Sequence, residues 1–207
     1  MRDSVAEPSE IQPTQPHSRA EATSSSTGRL GEWLEQQTEF LLRHWLDELR
    51  QRGSLDAEME QLLKRFLELL TRLLPQAVGP YRARVAPLWK QAAELYGSLG
   101  AQRGLAAGEI VEEFQILREA VIRILFQTPP ARYGAALSLA EALRLNRFLD
   151  SGVTHASIGH TDALFFALLQ GSGVPKVPIE QLVREVEERL QAIEEEWSAD
   201  AHGADAH

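Results

Sequence analysis

The chain of 207 residues carries 30 acids against 21 Lys and Arg, a net charge of −9, and no cysteine. That length supports one domain with its own hydrophobic core and leaves no room for a second, catalytic one. The lack of cysteine excludes a disulfide framework, a thiolate zinc site and a cysteine nucleophile. Eight acids against two bases between Val177 and Asp200 give that stretch −6, two-thirds of the total. No run of basic residues of the kind that displaces counterions from phosphates stands anywhere in the chain, so nucleic acid is not an expected partner.

Residues 1–28 hold Pro8, Pro13 and Pro16, many Ser and Thr, and only Val5 and Ile11 as branched apolar residues. Such a segment cannot bury enough surface to offset the entropy of ordering, and it reads as a disordered tail. Its first residues lack the apolar core of a signal peptide. The longest apolar run, Ala163 to Leu169, is seven residues, against roughly 20 for a helix that crosses a bilayer. A cytoplasmic protein with no membrane contact is expected.

Helical periodicity opens near Arg29. Leu30, Trp33, Leu34, Leu41, Trp45 and Leu49 mark one face of a first helix, widened by Leu42 and Leu46 and stopped by Gly53. Ser54 is a suitable N-cap for a second, in which Met59, Leu62, Leu63, Phe66, Leu70 and Leu73 recur until Pro75 closes it. A third runs from Tyr81 to Gln102 with Val85, Leu88, Trp89, Ala92, Leu95 and Tyr96, and Pro87 predicts a kink or a late start. The fourth starts around Ala107 and ends before Pro129 and Pro130, its seam of Ile110, Phe114, Leu117, Val121 and Ile124 stepping by 4, 3, 4 and 3. A fifth begins at Ala131, carries Leu137, Leu139, Leu143, Phe148 and Leu149, and continues through Val153 and Ile158 to Leu169. Gly152 and Gly159 are the expected places for it to break. No stretch alternates with period two, so the predicted class is all-α: a helical domain over 29–170, followed by a hinge over 171–178.

Beyond the hinge, over 179–198, Ile179, Val183, Val186, Leu190, Ile193 and Trp197 form a heptad seam with acids covering the rest. A helix this short is marginal alone in water. It docks either on its own bundle or on a second chain, and both remain open on sequence. Residues 199–207 read as a polar, disordered tail. The segment Ala163 to Leu169 is apolar on nearly every side and must also be covered. Leu164, Phe165 and Phe166, extended by Leu168 and Leu169, are therefore candidate interface residues together with Ile179, Val183, Val186, Leu190, Ile193 and Trp197, in a homodimer or with a partner protein.

Little in the chain points to catalysis. It has no nucleophile elbow, no phosphate-binding glycine loop and no dinucleotide fingerprint, and Glu112–Glu113 and Glu187–Glu188 diverge by about 100° around a helix. Of six histidines, His17, His202 and His207 lie in polar termini and His44 stands beside Trp45. His155 and His160 are five apart, pointing to different faces of a continuous helix rather than chelating one metal. No catalytic residue and no metal site is predicted.

Three stretches carry a resemblance: Trp33 with Leu42 to Leu49; Tyr96 to Arg118, including Gln102-Arg103-Gly104, Glu109, Glu113-Phe114 and Leu117-Arg118; and Leu145 to Asp150. In that order they resemble the N-terminal sensor domain of RsbR-type stress regulators, a module that also precedes the kinase core of many bacterial histidine kinases. The resemblance implies a bundle like a globin without haem, no cofactor, and a non-catalytic sensory or docking subunit. Its implied partner is a histidine kinase or a stressosome component. The alternatives are a globin-like sensor of haem or another small ligand, with His155 or His160 as the axial ligand, and a structural oligomerisation module. Whereas the family continues into an output domain, the element in that place here is the acidic helix after the hinge.

Overall fold

The computed structural model describes residues 17–53, 57–79, 81–129 and 138–171, together with 180–181, 183–184, 187–188, 191–192 and 195, and the side chains from Leu30 onward within them except that of Glu58. Five helices and no strand stand among these residues: α1 His17–Arg52, α2 Ala57–Val78, α3 Arg82–Gln102, α4 Ala107–Gln127 and α5 Leu139–Leu169. The all-α class read from periodicity is correct.

The apolar faces are buried as their spacing requires. Along α4, Ile110, Phe114, Leu117, Val121 and Ile124 are all at most 3% exposed. Trp33, Trp45, Trp89, Tyr96, Phe66 and Phe114 are the largest fully buried side chains. Tyr96 sits among three of the other rings, edge-on to Phe114 at 5.5 Å and to Phe66 at 6.1 Å and tilted against Trp45 at 5.9 Å. Edge-to-face packing at such distances adds to what the buried area contributes. The indole N–H of Trp33 donates to the Thr128 carbonyl at 2.9 Å, fastening α1 to the end of α4 across 95 residues.

Several boundaries differ from the sequence reading. The backbone is already helical at His17, inside the stretch expected to be disordered. Extending a helix from a packed nucleus needs only one residue fixed per added bond, and Ala20, Glu21 and Ala22 are good helix formers. Pro75 does not end α2, which runs one turn further to Val78, where the Gly79 N–H reaches the Pro75 carbonyl. Pro87 lies in the second turn of α3 and does not delay its start; Pro87 and Ala83, whose carbonyl it cannot serve, are both exposed. The start of α5 is Leu139, because Ser138 caps it: Glu141 N–H donates to Ser138 Oγ at 3.2 Å, and Ser138 N–H to the Glu141 carboxylate at 2.8 Å. Leu139 and Leu143 point outward, and Leu137 lies outside the described residues.

Gly152 and Gly159 do not break α5. Along its buried face run Gly152, Ala156, Gly159, Ala163 and Ala167, and these small residues let α3 approach until backbones touch. A Cβ on Gly97 of α3 would stand 1.8 Å from the Ala156 carbonyl oxygen. Across the same contact, Ser98 Oγ donates to the Gly159 carbonyl at 3.1 Å. The α3–α4 connection turns at Gly104, whose φ of 77° lies in the left-handed region that favours glycine, with Gly104 N–H donating to Ala101 and Leu105 N–H to Gly100.

The described residues between 180 and 195 are helical, and Val183 is wholly buried in the same core as the bundle. Arg65 of α2 grips Glu187 with Nε on Oε1 at 2.8 Å and Nη2 on Oε2. The hydrogen bond and charge of Glu187 raise the Arg65 pKa above its ordinary value against the opposing effect of burial. Docking on the chain's own bundle is thus what the structure shows. Val183, named as a partner-interface candidate with docking on its own bundle left open, is a core residue, wholly buried in the chain's own apolar cluster. Ile179, Val186, Leu190, Ile193 and Trp197 lie outside the described residues.

Candidate functional site

The most constrained polar group in the molecule is a charge cluster at the turn from α3 to α4. Glu113 takes a place next to the apolar seam of α4 and is 4% exposed. Arg103 meets it with both terminal nitrogens, Nη1 to Oε2 at 2.9 Å and Nη2 to Oε1 at 2.7 Å, and the Tyr96 hydroxyl donates to Oε2 at 2.6 Å. A carboxylate at this depth is tolerable only when charge and lone pairs are both answered. Burial, reinforced by the Glu113 charge, pushes the Tyr96 hydroxyl well above its ordinary pKa. Burial works to lower the Arg103 pKa, but the hydrogen bonds and charge of Glu113 outweigh it. The Arg103 Nε is buried without a hydrogen-bond partner among the described residues.

Beside this cluster opens a cleft of about 420 Å³ between the end of α1 and the start of α4, lined by Arg52, Arg103, Leu105, Glu109 and Glu112 among others. Its charges answer one another: Arg52 Nη1 lies 3.0 Å from Glu112 Oε2, and the Glu109 carboxylate accepts the Ala106 N–H at 2.7 Å, capping α4. Glu112 and Glu113 diverge, one to Arg52 and one to Arg103, so they form no acid–base pair. The cleft offers charge of both signs and holds no Ser, Thr or His nucleophile–base pair in its lining.

The two histidines named as possible ligands have other partners. His155 Nδ1 lies 2.7 Å from the Glu94 carboxylate, and His160, 3% exposed, sets Nε2 2.8 Å from the Leu105 carbonyl. The two rings take separate partners, as their five-residue spacing predicts. His160 serves to tie α5 to the α3–α4 turn.

At its C-terminal end α5 presents the opposite of a normal amphipathic helix: small residues inward, large ones outward. Ala163 and Ala167 are buried, whereas Leu164, Phe165, Phe166, Leu168 and Leu169 are 40 to 76% exposed. Phe165 and Phe166 touch each other edge to face at 6.2 Å. Leu164, Phe165 and Phe166 are therefore uncovered among the described residues. No helix among those residues is long and apolar enough to cross a membrane, and no group of three or more His, Asp or Glu is placed there to hold a metal ion.

The charge cluster is the site that sequence reasoning did not single out. Tyr96, Arg103 and Glu113 lie on either side of a turn, and no local period joins them. The usable signal was Glu113 itself, a carboxylate flanking the buried seam and so in need of a nearby cation. Comparisons of this chain with family models, curated proteins and solved structures find no match.

Proposed function

We propose that the chain is a non-catalytic sensory and docking subunit of a bacterial stress-response or two-component pathway, acting by protein–protein contact and pairing with a second copy through the end of α5. The observation that carries this reading is the uncovered set Leu164, Phe165, Phe166, Leu168 and Leu169. An apolar patch of this kind on one helix end marks an interaction surface. A twofold pairing brings patch onto patch and buries the aromatic rings, with the exposed Asp162 one turn before them at the rim of the contact. The resemblance to RsbR-type sensor domains supplies the pathway, with a histidine kinase or stressosome component as the partner.

Light scattering at tens of micromolar tests the pairing. A dimer is expected for the native chain and a folded monomer for Phe165→Glu with Leu168→Glu, whose circular dichroism stays unchanged. A native chain that is strictly monomeric overturns the pairing. The signalling role is read by affinity capture from the host: recovery of a kinase or stressosome protein by the native chain and not by the double variant supports it, and equal recovery by both rejects it.

A further inference from the structure

The fold assembles a basic site that the linear sequence hides. Arg82, Ala86 and Lys90 follow one another at four-residue steps along α3, and Arg144, Arg147 and Phe148 lie along α5; the two rows face each other across a groove of about 340 Å³. Four cations line it and no carboxylate does. By contrast, the cleft at the α3–α4 turn includes Glu109, Glu112 and Glu113, and a smaller one beside α1 includes Glu48, Glu112 and Glu119. Among the described residues, no carboxylate forms an ion pair with Arg82, Lys90 or Arg147, all three of which are exposed. In a chain of net charge −9 this is a local inversion of sign.

We infer that this groove binds a small organic phosphate, its phosphate held by Arg82, Lys90 and Arg147 and its body lying against Ala86 and Phe148. The Arg82 and Arg147 guanidiniums present planar forks that match phosphate oxygens two at a time, and a dianion answers these two and Lys90 better than a single carboxylate does. The floor is apolar and rigid, which selects an ester with an apolar or aromatic body over the bare ion. Phe148 cannot swing freely: its ring lies 4.6 Å from that of Trp89, and the Trp89 indole N–H donates to the Phe148 carbonyl at 3.2 Å. The cations are thus mounted on two helices already locked together, so what the ligand has left to order is their own exposed side chains.

Calorimetric titration of the full chain with phenyl phosphate and with inorganic phosphate is the test. Phenyl phosphate is expected to bind about tenfold more tightly than inorganic phosphate, with affinity falling as salt is added. Lys90→Glu with Arg147→Glu abolishes binding without moving the melting temperature, since both side chains are exposed, and Arg147→Gln weakens it. Cosedimentation with phosphatidylglycerol vesicles separates the two sources of the phosphate: pelleting of the native chain but not of the double variant supports a lipid headgroup, and titration heat without pelleting supports a soluble ester. The proposal is overturned by no heat at about 10 mM phenyl phosphate, by equal affinity for both phosphates, or by a double variant that binds as the native chain does.

Discussion

The carbonyl oxygen of Glu94 lies 1.9 Å from the position a Cβ would take on Gly159. The α3–α5 contact is therefore backbone against backbone, and a single methyl group on either helix has nowhere to go.

Gly159→Ala and Gly97→Ala are each expected to destabilise the fold by about 3 kcal/mol or more, at or beyond the upper end of ordinary overpacking, because the obstacle is backbone rather than a side chain that can turn aside. Gly108, in the first turn of α4, has nothing within 4 Å of its Cβ position. Gly108→Ala should raise stability by about 0.5 to 1 kcal/mol through helix propensity alone. Urea denaturation of the three variants checks the contrast; equal effects would dissolve it.

Removing Arg103 strands a carboxylate that is 4% exposed. Arg103→Met should cost about 3 to 5 kcal/mol, whereas Arg103→Met combined with Glu113→Leu should recover part of that loss, since neither charge then needs an answer while the buried Tyr96 hydroxyl loses its acceptor. A double-mutant cycle measures the coupling, and additive losses would show that the pair is not a unit.

The pH dependence of Tyr96 follows from its raised pKa. Between the unfolded value of about 10 and the higher folded value, the unfolded chain has lost a proton that the folded chain keeps, so stability falls as pH rises through that window. Below the window the contribution is fully present. Tyr96→Phe should therefore decline less steeply above about pH 10, by up to roughly 1.4 kcal/mol per pH unit. Parallel slopes for the two chains would contradict a hydroxyl held neutral by burial.

Val183→Asp places a charge where the native side chain is wholly buried. The expected result is release of the C-terminal helical residues with the bundle intact, seen as faster amide exchange around residues 180–184 while α3 and α4 stay protected. Unchanged exchange around 180–184 would mean that Val183 does not hold this segment.

The helices themselves were legible because burial of one face imposes a period on apolar residues, and the α4 seam from Ile110 to Ile124 needs no other information. Propensity misled where tertiary contact decides. Glycine lowers helix propensity, which made Gly152 and Gly159 look like breaks; in the folded chain the absence of a Cβ is what admits α3. Pro75 misled for a related reason, since a helix already packed on both sides tolerates a missing donor near its end. The site residues were less visible still. Tyr96, Arg103 and Glu113 meet across a turn, and Arg82 and Lys90 reach Arg144 and Arg147 only once α3 and α5 have docked. Relationships of that sort exist in three dimensions and leave no period behind them. The run from Ala163 to Leu169 showed only that some apolar side chains must lie off the inward face, because seven in a row cannot all face one way around a helix; which of them do is set by the docking of α3 on the small residues of α5.

The bond from Trp33 to the Thr128 carbonyl has a bearing on how the protein is made. With 95 residues between donor and acceptor, α1 leaves the ribosome long before the end of α4 exists, and at typical synthesis rates the interval is about 5 to 20 s. Throughout that time the Trp33 indole lacks the Thr128 carbonyl that it bonds in the folded chain. A nascent chain arrested once α1 alone has emerged from the ribosome should therefore expose an apolar helix open to chaperone capture, and one arrested after the end of α4 has emerged should not.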